Sequence, residues 1–344
     1  MAPVLQRGRA ITLGVCAAAV CALVGSVLLA VTFGPADLST GQVWGVLAHR
    51  LGLADSPGLS RLQEAMVWDL RLPRTLLAAV CGAGLAVCGA ILQSLLRNPL
   101  AEPYLLGVSS GASLGAVGVI VLGVGAGAIG LSGGAFIGAL AAFAVMLTLA
   151  WLAGGTTDKV ILAGIAVTQM FSALTSFVVM VAADAETTRG VLFWLLGSLS
   201  TASWADVALT AVVLVLVLVV ALTSASALDA FAFGERAASG LGVSVARTRA
   251  VLLVATALLT AVVVSSSGAI GFVGLVLPHI GRMLVGPRHR RLLPTIALLG
   301  AVFLVWVDTV ARTALAPQEI PVGVVTAMVG VPVFTLVLIR RRTR

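Results

Sequence analysis

The chain has 344 residues, of which 60% are hydrophobic and only 10% charged, with a mean hydropathy of +1.15. Soluble domains carry charge on about a quarter of their residues, so this composition excludes a soluble enzyme or binding module and defines a polytopic membrane protein. The net charge of +8 does not point to nucleic acid, because the basic residues lie in short links and at both ends, not in one patch interleaved with aromatics.

In chain order, Arg7 and Arg9 precede an apolar run from about Ala10 to Phe33, which is too long for a signal peptide and lacks a clear cleavage site, so a retained first span is expected. Gly34 to Asp69 is the longest polar link; it contains Pro35 and Pro57, and Val43 to Leu53 has the make-up of a short interfacial helix. Runs of membrane length follow at about 72–96, 105–124, 129–152, 160–183, 204–223, 248–266, 270–286, 292–314 and 322–339. With the first, these predict an all-α fold of about ten transmembrane helices, a single membrane domain over residues 1–344 with no soluble appendage. An even number places both termini on one side. Of the 21 basic residues, 15 fall on the side of the termini, including Arg97, Lys159, Arg249, Arg282 and the cluster from Arg340 to Arg344, so that side is expected to be cytoplasmic. The other side holds Arg50, Arg61, Arg71, Arg74, Arg189 and Arg312.

Few residues carry reactive chemistry. Cys16, Cys21, Cys81 and Cys88 sit inside apolar runs without metal-ligand spacing and read as packing residues. His49, His279 and His289 are scattered. The nearest approach to a phosphate-binding loop, Gly154 to Lys159, fails on spacing, and no nucleophile has an evident base, so hydrolysis by the chain itself is not expected. Glycines at four-residue spacing (Gly111 and Gly115; Gly123 and Gly127; Gly130, Gly134 and Gly138) predict close helix packing. Gln93 and Gln169 are amides inside spans that either bridge helices or face a pathway. Asp308 and Arg312 share a helical face at i, i+4 and are expected to pair; an intramembrane carboxylate would also serve an ion-coupled carrier.

The most informative stretch runs from Arg71 to Ala112. An apolar span lies between Arg71-Leu72-Pro73-Arg74 and Arg97-Asn98-Pro99, and a link crowded with proline and glycine leads into the next span. Irregular backbone at membrane depth is tolerated only where protein buries it or where it lines a wet cavity. The ordered letters G-x-x-L-A-x-x-G-x-x-x-Q (Gly82 to Gln93), R-N-P-L-A-x-P-x-L-L-G-V-S-x-G-A (Arg97 to Ala112) and G-F-V-G-L-V-L-P-H-I-G-R (Gly271 to Arg282) resemble the signature of the FecCD family of ABC permeases, the membrane subunits of type II importers for ferric siderophores, haem and cobalamin.

That resemblance implies a permease in the bacterial cytoplasmic membrane with no cofactor of its own. It would be surrounded by lipid, paired as a homodimer, driven by two copies of an ABC ATPase subunit, and fed by a periplasmic or lipid-anchored substrate-binding protein. It also implies residue roles. In the link 224–249, read from the residues either as two stubby helices split by glycines or as an interfacial helix on the inner leaflet, Phe231, Phe233, Gly234, Glu235, Ala238, Leu241 and Gly242 would couple to the ATPase. Arg71, Arg74 and Arg312 would receive acidic residues of the binding protein. Asn98, Leu100, Thr157 and Asp158 would form a cytoplasmic gate, with Asp158 standing where some relatives have a small polar residue; chemically, Asn98 could equally turn the chain. The cargo expected from the family's range is an iron chelate.

Overall fold

The computed structural model describes residues 2–34, 38–53, 55, 58–125 and 129–341; Pro35, Pro57, Gly127, Arg342 and Arg344, named above, lie outside them. Among the described residues there is no strand. The helices in order are α1 (Ala2–Thr32), α2 (Thr40–Arg50), α3 (Arg61–Ala65), α4 (Leu72–Leu95), α5 (Val108–Leu122), α6 (Gly130–Leu152), α7 (Thr157–Ala182), α8 (Ala185–Leu195), α9 (Trp204–Thr223), α10 (Ala225–Phe231), α11 (Glu235–Gly240), α12 (Val245–Ser267), α13 (Val273–Val285), α14 (His289–Thr313) and α15 (Val322–Arg341). Among the described residues, seven helical stretches are long and apolar enough to cross a membrane, and α5, α13 and the Val322–Leu336 part of α15 are shorter apolar stretches at the remaining predicted spans.

Helix α4 is the central post, buried along most of its length between α14, α13, α12 and α9. Small residues permit this. A Cβ on Gly82 would overlap the carbonyl of Gly300 in α14, and one on Gly89 would overlap the carbonyl of Gly274 in α13. Lipid gives no hydrophobic drive for helix association, so backbone-to-backbone approach of this kind supplies the packing. The glycine seam predicted near residues 111–138 divides in two. Gly111 and Gly115 abut Gly138 and Gly134 across the α5–α6 contact, whereas Gly123 (φ 65°) and Gly130 (φ 61°) face open space at the turn between these helices.

The structure corrects the sequence reading at two places. The span predicted to begin at about residue 72 continues a helix that starts at Arg61, through a wider turn of π geometry at Met66–Arg71. Proline has no N–H and its ring crowds the carbonyl four residues back, so the widened turn directly before Pro73 accommodates it. The segment between the spans predicted at about 160–183 and 204–223, to which the sequence reading assigns no element, contains α8. Asp184 caps that helix by accepting the Thr187 N–H at 2.7 Å, an interaction that holds its carboxyl below the usual range.

Helix α5 has 15 residues and α13 has 13. At 1.5 Å per residue they are only about 20 Å long, short of the roughly 30 Å hydrocarbon thickness. Each is preceded by irregular backbone, residues 98–107 and 268–272.

Candidate functional site

Three groups of residues carry the polar chemistry: one at the end of the bundle where α1 terminates, one at mid-depth, and one at the end bearing the long link 224–249.

At the first, here the arginine end, Arg71, Arg74 and Arg312 come together around a cavity of about 260 Å³ also lined by Leu70, Ser200 and Glu319. Arg71 and Arg312 are buried. Arg71 Nη1 donates to the carbonyls of Val31 (3.4 Å) and Thr32 (3.3 Å), and Arg312 Nη2 donates to that of Ala30 (2.7 Å). A helix leaves its last carbonyls without intrahelical partners, and these two cations close the C-terminus of α1. Gly34 lies close beside them, and a Cβ there would make the Arg71 guanidinium shift. Arg74 uses a different set of partners. Its Nε donates to both Asp308 oxygens (3.0 and 3.2 Å), while Nη1 and Nη2 donate to the two Glu319 oxygens (2.8 and 3.0 Å). The predicted Asp308–Arg312 pair is present at 3.7 Å, but Arg74 is the closer partner of Asp308.

At mid-depth the two irregular links clasp each other. The Tyr104 hydroxyl accepts the Ile270 N–H and donates to the Ile270 carbonyl, both at 2.6 Å, and the Glu102 carboxylate faces the Phe272 N–H. Phe272 has φ 68°, an uncommon conformation for a bulky residue. Gln93 bridges helices: its amide donates to the carbonyls of Gly274 (3.2 Å) and Leu275 (3.3 Å), and its oxygen accepts from Arg282 (2.6 Å). The signature segments around Gln93, Tyr104 and Gly274 are therefore one physical unit, which satisfies backbone that lipid could not. Gln169, by contrast, is exposed on α7 beside a cavity of about 220 Å³ that Glu102 and Thr168 share.

At the long-link end, α10 and α11 are the two short helices expected from the glycines. Phe231 and Ala238 are fully buried, whereas Phe233 and Leu241 are largely exposed. Gly234 (φ 96°) and Gly242 (φ 84°) hold left-handed backbone at the start and just past the end of α11, where a side chain would be strained. Glu235 pairs with Arg249 and accepts from Thr157 Oγ1 (3.2 Å), and Arg249 also reaches Thr157 Oγ1 and the Gly155 carbonyl (both 3.3 Å). Glu235, expected to couple, and Thr157, expected to gate, thus share one network at the start of α7. Asp158 is exposed in the first turn of α7. Asn98 makes a turn, its side chain accepting the N–H of half-exposed Leu100 at 2.9 Å.

Sequence reasoning missed a second tie at this end. His289 bonds Asp229 of α10 through Nδ1 (2.6 Å) and its own N–H (2.9 Å), and its Nε2 meets Ser94 of α4 at 2.7 Å. Burial raises the Asp229 carboxyl, but the hydrogen bonds from His289 outweigh it and leave the carboxyl below its ordinary range. The three residues stand 60 and 195 positions apart, so no local spacing signals them. Beside them a cavity of about 700 Å³ is lined by Arg97, Arg282 and Phe233. Among the described residues, no three His, Cys, Asp or Glu side chains assemble to hold a metal ion.

A bundle of apolar helices with two broken spans clasped at mid-depth and a glycine-hinged polar link at one end is the build of a membrane permease. Residues 22–340 match the FecCD transport family, and the chain belongs to it. It is 41% identical over 308 residues to the cobalamin import system permease of Halobacterium salinarum, covering 89% of this chain and 82% of the relative. It is 40% identical over 286 residues to the hemin transport system permease of Yersinia pestis, covering 80% and 84%. A solved structure described as a metal-chelate type ABC transporter in an inward-facing conformation superposes with a TM-score of 0.82 at 30% identity, covering 95% of this chain and 99% of that one.

Proposed function

We propose that this ABC importer permease carries an iron chelate, a ferric siderophore or haem, across the bacterial cytoplasmic membrane with both termini in the cytoplasm. Two copies form the pathway about a two-fold axis, two ATPase subunits dock on the long links, and a binding protein delivers cargo at the arginine end. The carrying observation is the long link itself. Exposed Phe233 and Leu241 offer contacts to a partner, buried Phe231 and Ala238 anchor the segment, and Glu235 connects it to Thr157 at the start of α7. A push on α11 therefore reaches a membrane-spanning helix directly. In the same reading Asn98, Leu100, Thr157 and Asp158 narrow the cytoplasmic mouth, and ATP-driven movement of α10 and α11 opens or closes it.

Asp308 supports this over ion-coupled carriage, because its carboxylate is held by Arg74 and paired with Arg312. The hemin permease and the metal-chelate structure favour an iron chelate; the Halobacterium relative favours cobalamin as the second reading. The test is uptake by the permease with its ATPase and binding protein in sealed liposomes, offering a radio-iron hydroxamate chelate, haem and cyanocobalamin in parallel. Uptake of an iron compound on ATP without an ion gradient is expected. Uptake on a gradient without the ATPase would overturn the transport class, and uptake of cyanocobalamin alone would overturn the cargo.

A further inference from the structure

Arg74 differs from its two neighbours in what holds it. Arg71 and Arg312 are committed to the carbonyls that end α1, but Arg74 presents its whole outer edge, Nη1 and Nη2, to one carboxylate, that of Glu319, in two near-parallel hydrogen bonds of 2.8 and 3.0 Å. This fork-to-carboxylate geometry is what a guanidinium offers an acidic partner from another molecule. Glu319 comes from the α14–α15 link, is 30% exposed, and borders the cavity, whereas the other carboxylate on Arg74, Asp308, is 1% exposed and sits on its inner side. Arg312 Nε is buried without a hydrogen-bond partner, its ion-pair contact being Asp308 at 3.7 Å. The site has guanidinium donors and room for a further carboxylate, and its most accessible donor pair is already filled from within.

We infer that Glu319 is an internal stand-in for a docking partner's acidic side chain, held on Arg74 while the permease is free and displaced when the partner's carboxylate takes its place. This rests on the docking role given above to the arginine end. The exchange has a mechanical outlet. The link carrying Glu319 is bonded to Ala311 of α14 through the Ile320 N–H, and the start of α15 that follows it is bonded to the α8–α9 link through Val322 N–H on Gly197 and Gly323 N–H on Leu196, each at 2.9 Å. Releasing Glu319 frees its side-chain tether from this link to α4, so arrival of a partner is felt by α8, α14 and α15 together. It also sets a threshold, because an incoming group must outcompete a carboxylate that is always present.

The probe is an acetylated hexaglutamate peptide, with hexaglutamine as blank, titrated onto the permease–ATPase complex in phosphatidylcholine nanodiscs. Glu319→Gln keeps the side-chain shape and removes the competing charge, and is expected to tighten hexaglutamate binding by about three- to tenfold. Arg74→Gln is expected to abolish that binding. If Arg74→Gln abolishes binding but Glu319→Gln leaves it unchanged or weaker, the stand-in role is overturned while the docking role stands. If Arg74→Gln has no effect, the docking role falls and the stand-in role with it. Thermal unfolding of each variant complex separates misfolding from lost binding, and Glu319→Asp, too short to reach both Nη atoms, is expected to lie between wild type and Glu319→Gln.

Discussion

The arginine end and the long-link end are both fastened by charge, yet they stand in different surroundings. At the arginine end Asp308 is 1% exposed and its partner Arg74 11%; at the long-link end Arg249 is also 11% exposed, but its carboxylate partner Glu235 is 43% exposed. A buried pair is weak evidence of net stabilisation, but removing one member strands the other without water. A pair whose carboxylate is open to water contributes less and is made and broken more readily. The first end is therefore suited to holding a fixed arrangement, the second to changing one.

Substitutions at the two ends can break this contrast. The largest effect is expected for Asp308→Ala, which leaves Arg74 with only Glu319 and Arg312 with no carboxylate on its own helix; a loss of about 3 kcal/mol, read by thermal unfolding in detergent, is expected, with much of the protein lost from the membrane. Glu235→Ala should cost less than about 1 kcal/mol by the same measurement, yet alter ATP turnover of the assembled complex, since it cuts the tie between α11 and Thr157. Equal destabilisation by the two changes would show that the ends are not built differently. The smallest effect concerns acid. The folded-state carboxyl of Asp229 lies below its unfolded value, so its contribution is complete above the ordinary carboxylate range and is lost as pH falls through the lowered folded value. With the Asp229 side chain 37% exposed, less than about 1 kcal/mol is at stake. Acid unfolding curves should show a low-pH drop that Asp229→Asn removes.

How much of this was legible in the residues follows from distance along the chain. The long apolar runs could be read directly, because a helix in lipid must satisfy its own backbone and so needs one uninterrupted stretch; the runs that became the short helices α5 and α13 were read too long, because protein satisfies the irregular backbone before them. The stubby α10 and α11 were equally plain from Gly234 and Gly242. Helix α8 was overlooked although Asp184 and Glu186 supply the cap and first-turn charge that announce a helix start. The widened turn before Pro73 left no pattern of its own. At the arginine end, proximity to span ends brought Arg71, Arg74 and Arg312 into one group, but their partners lie in α1, α14 and the α14–α15 link. Glu319, 245 positions from Arg74, has nothing in its neighbourhood that names that partner. The clasp was half visible: both segments stood out by their letters, while the bond from Tyr104 to Ile270 spans 166 positions and exists only after folding.

That clasp bears on how the protein is made. As the ribosome delivers the chain from its N-terminus, Tyr104 and Glu102 enter the bilayer long before Ile270 and Phe272 have been synthesised. Until α12 and α13 arrive, the first broken span carries polar groups with no protein to receive them, and hydrocarbon offers no substitute. A nascent chain halted before residue 268 should accordingly remain with the insertion machinery or be degraded, and commitment to the lipid phase becomes a late event that waits for the second half of the polypeptide.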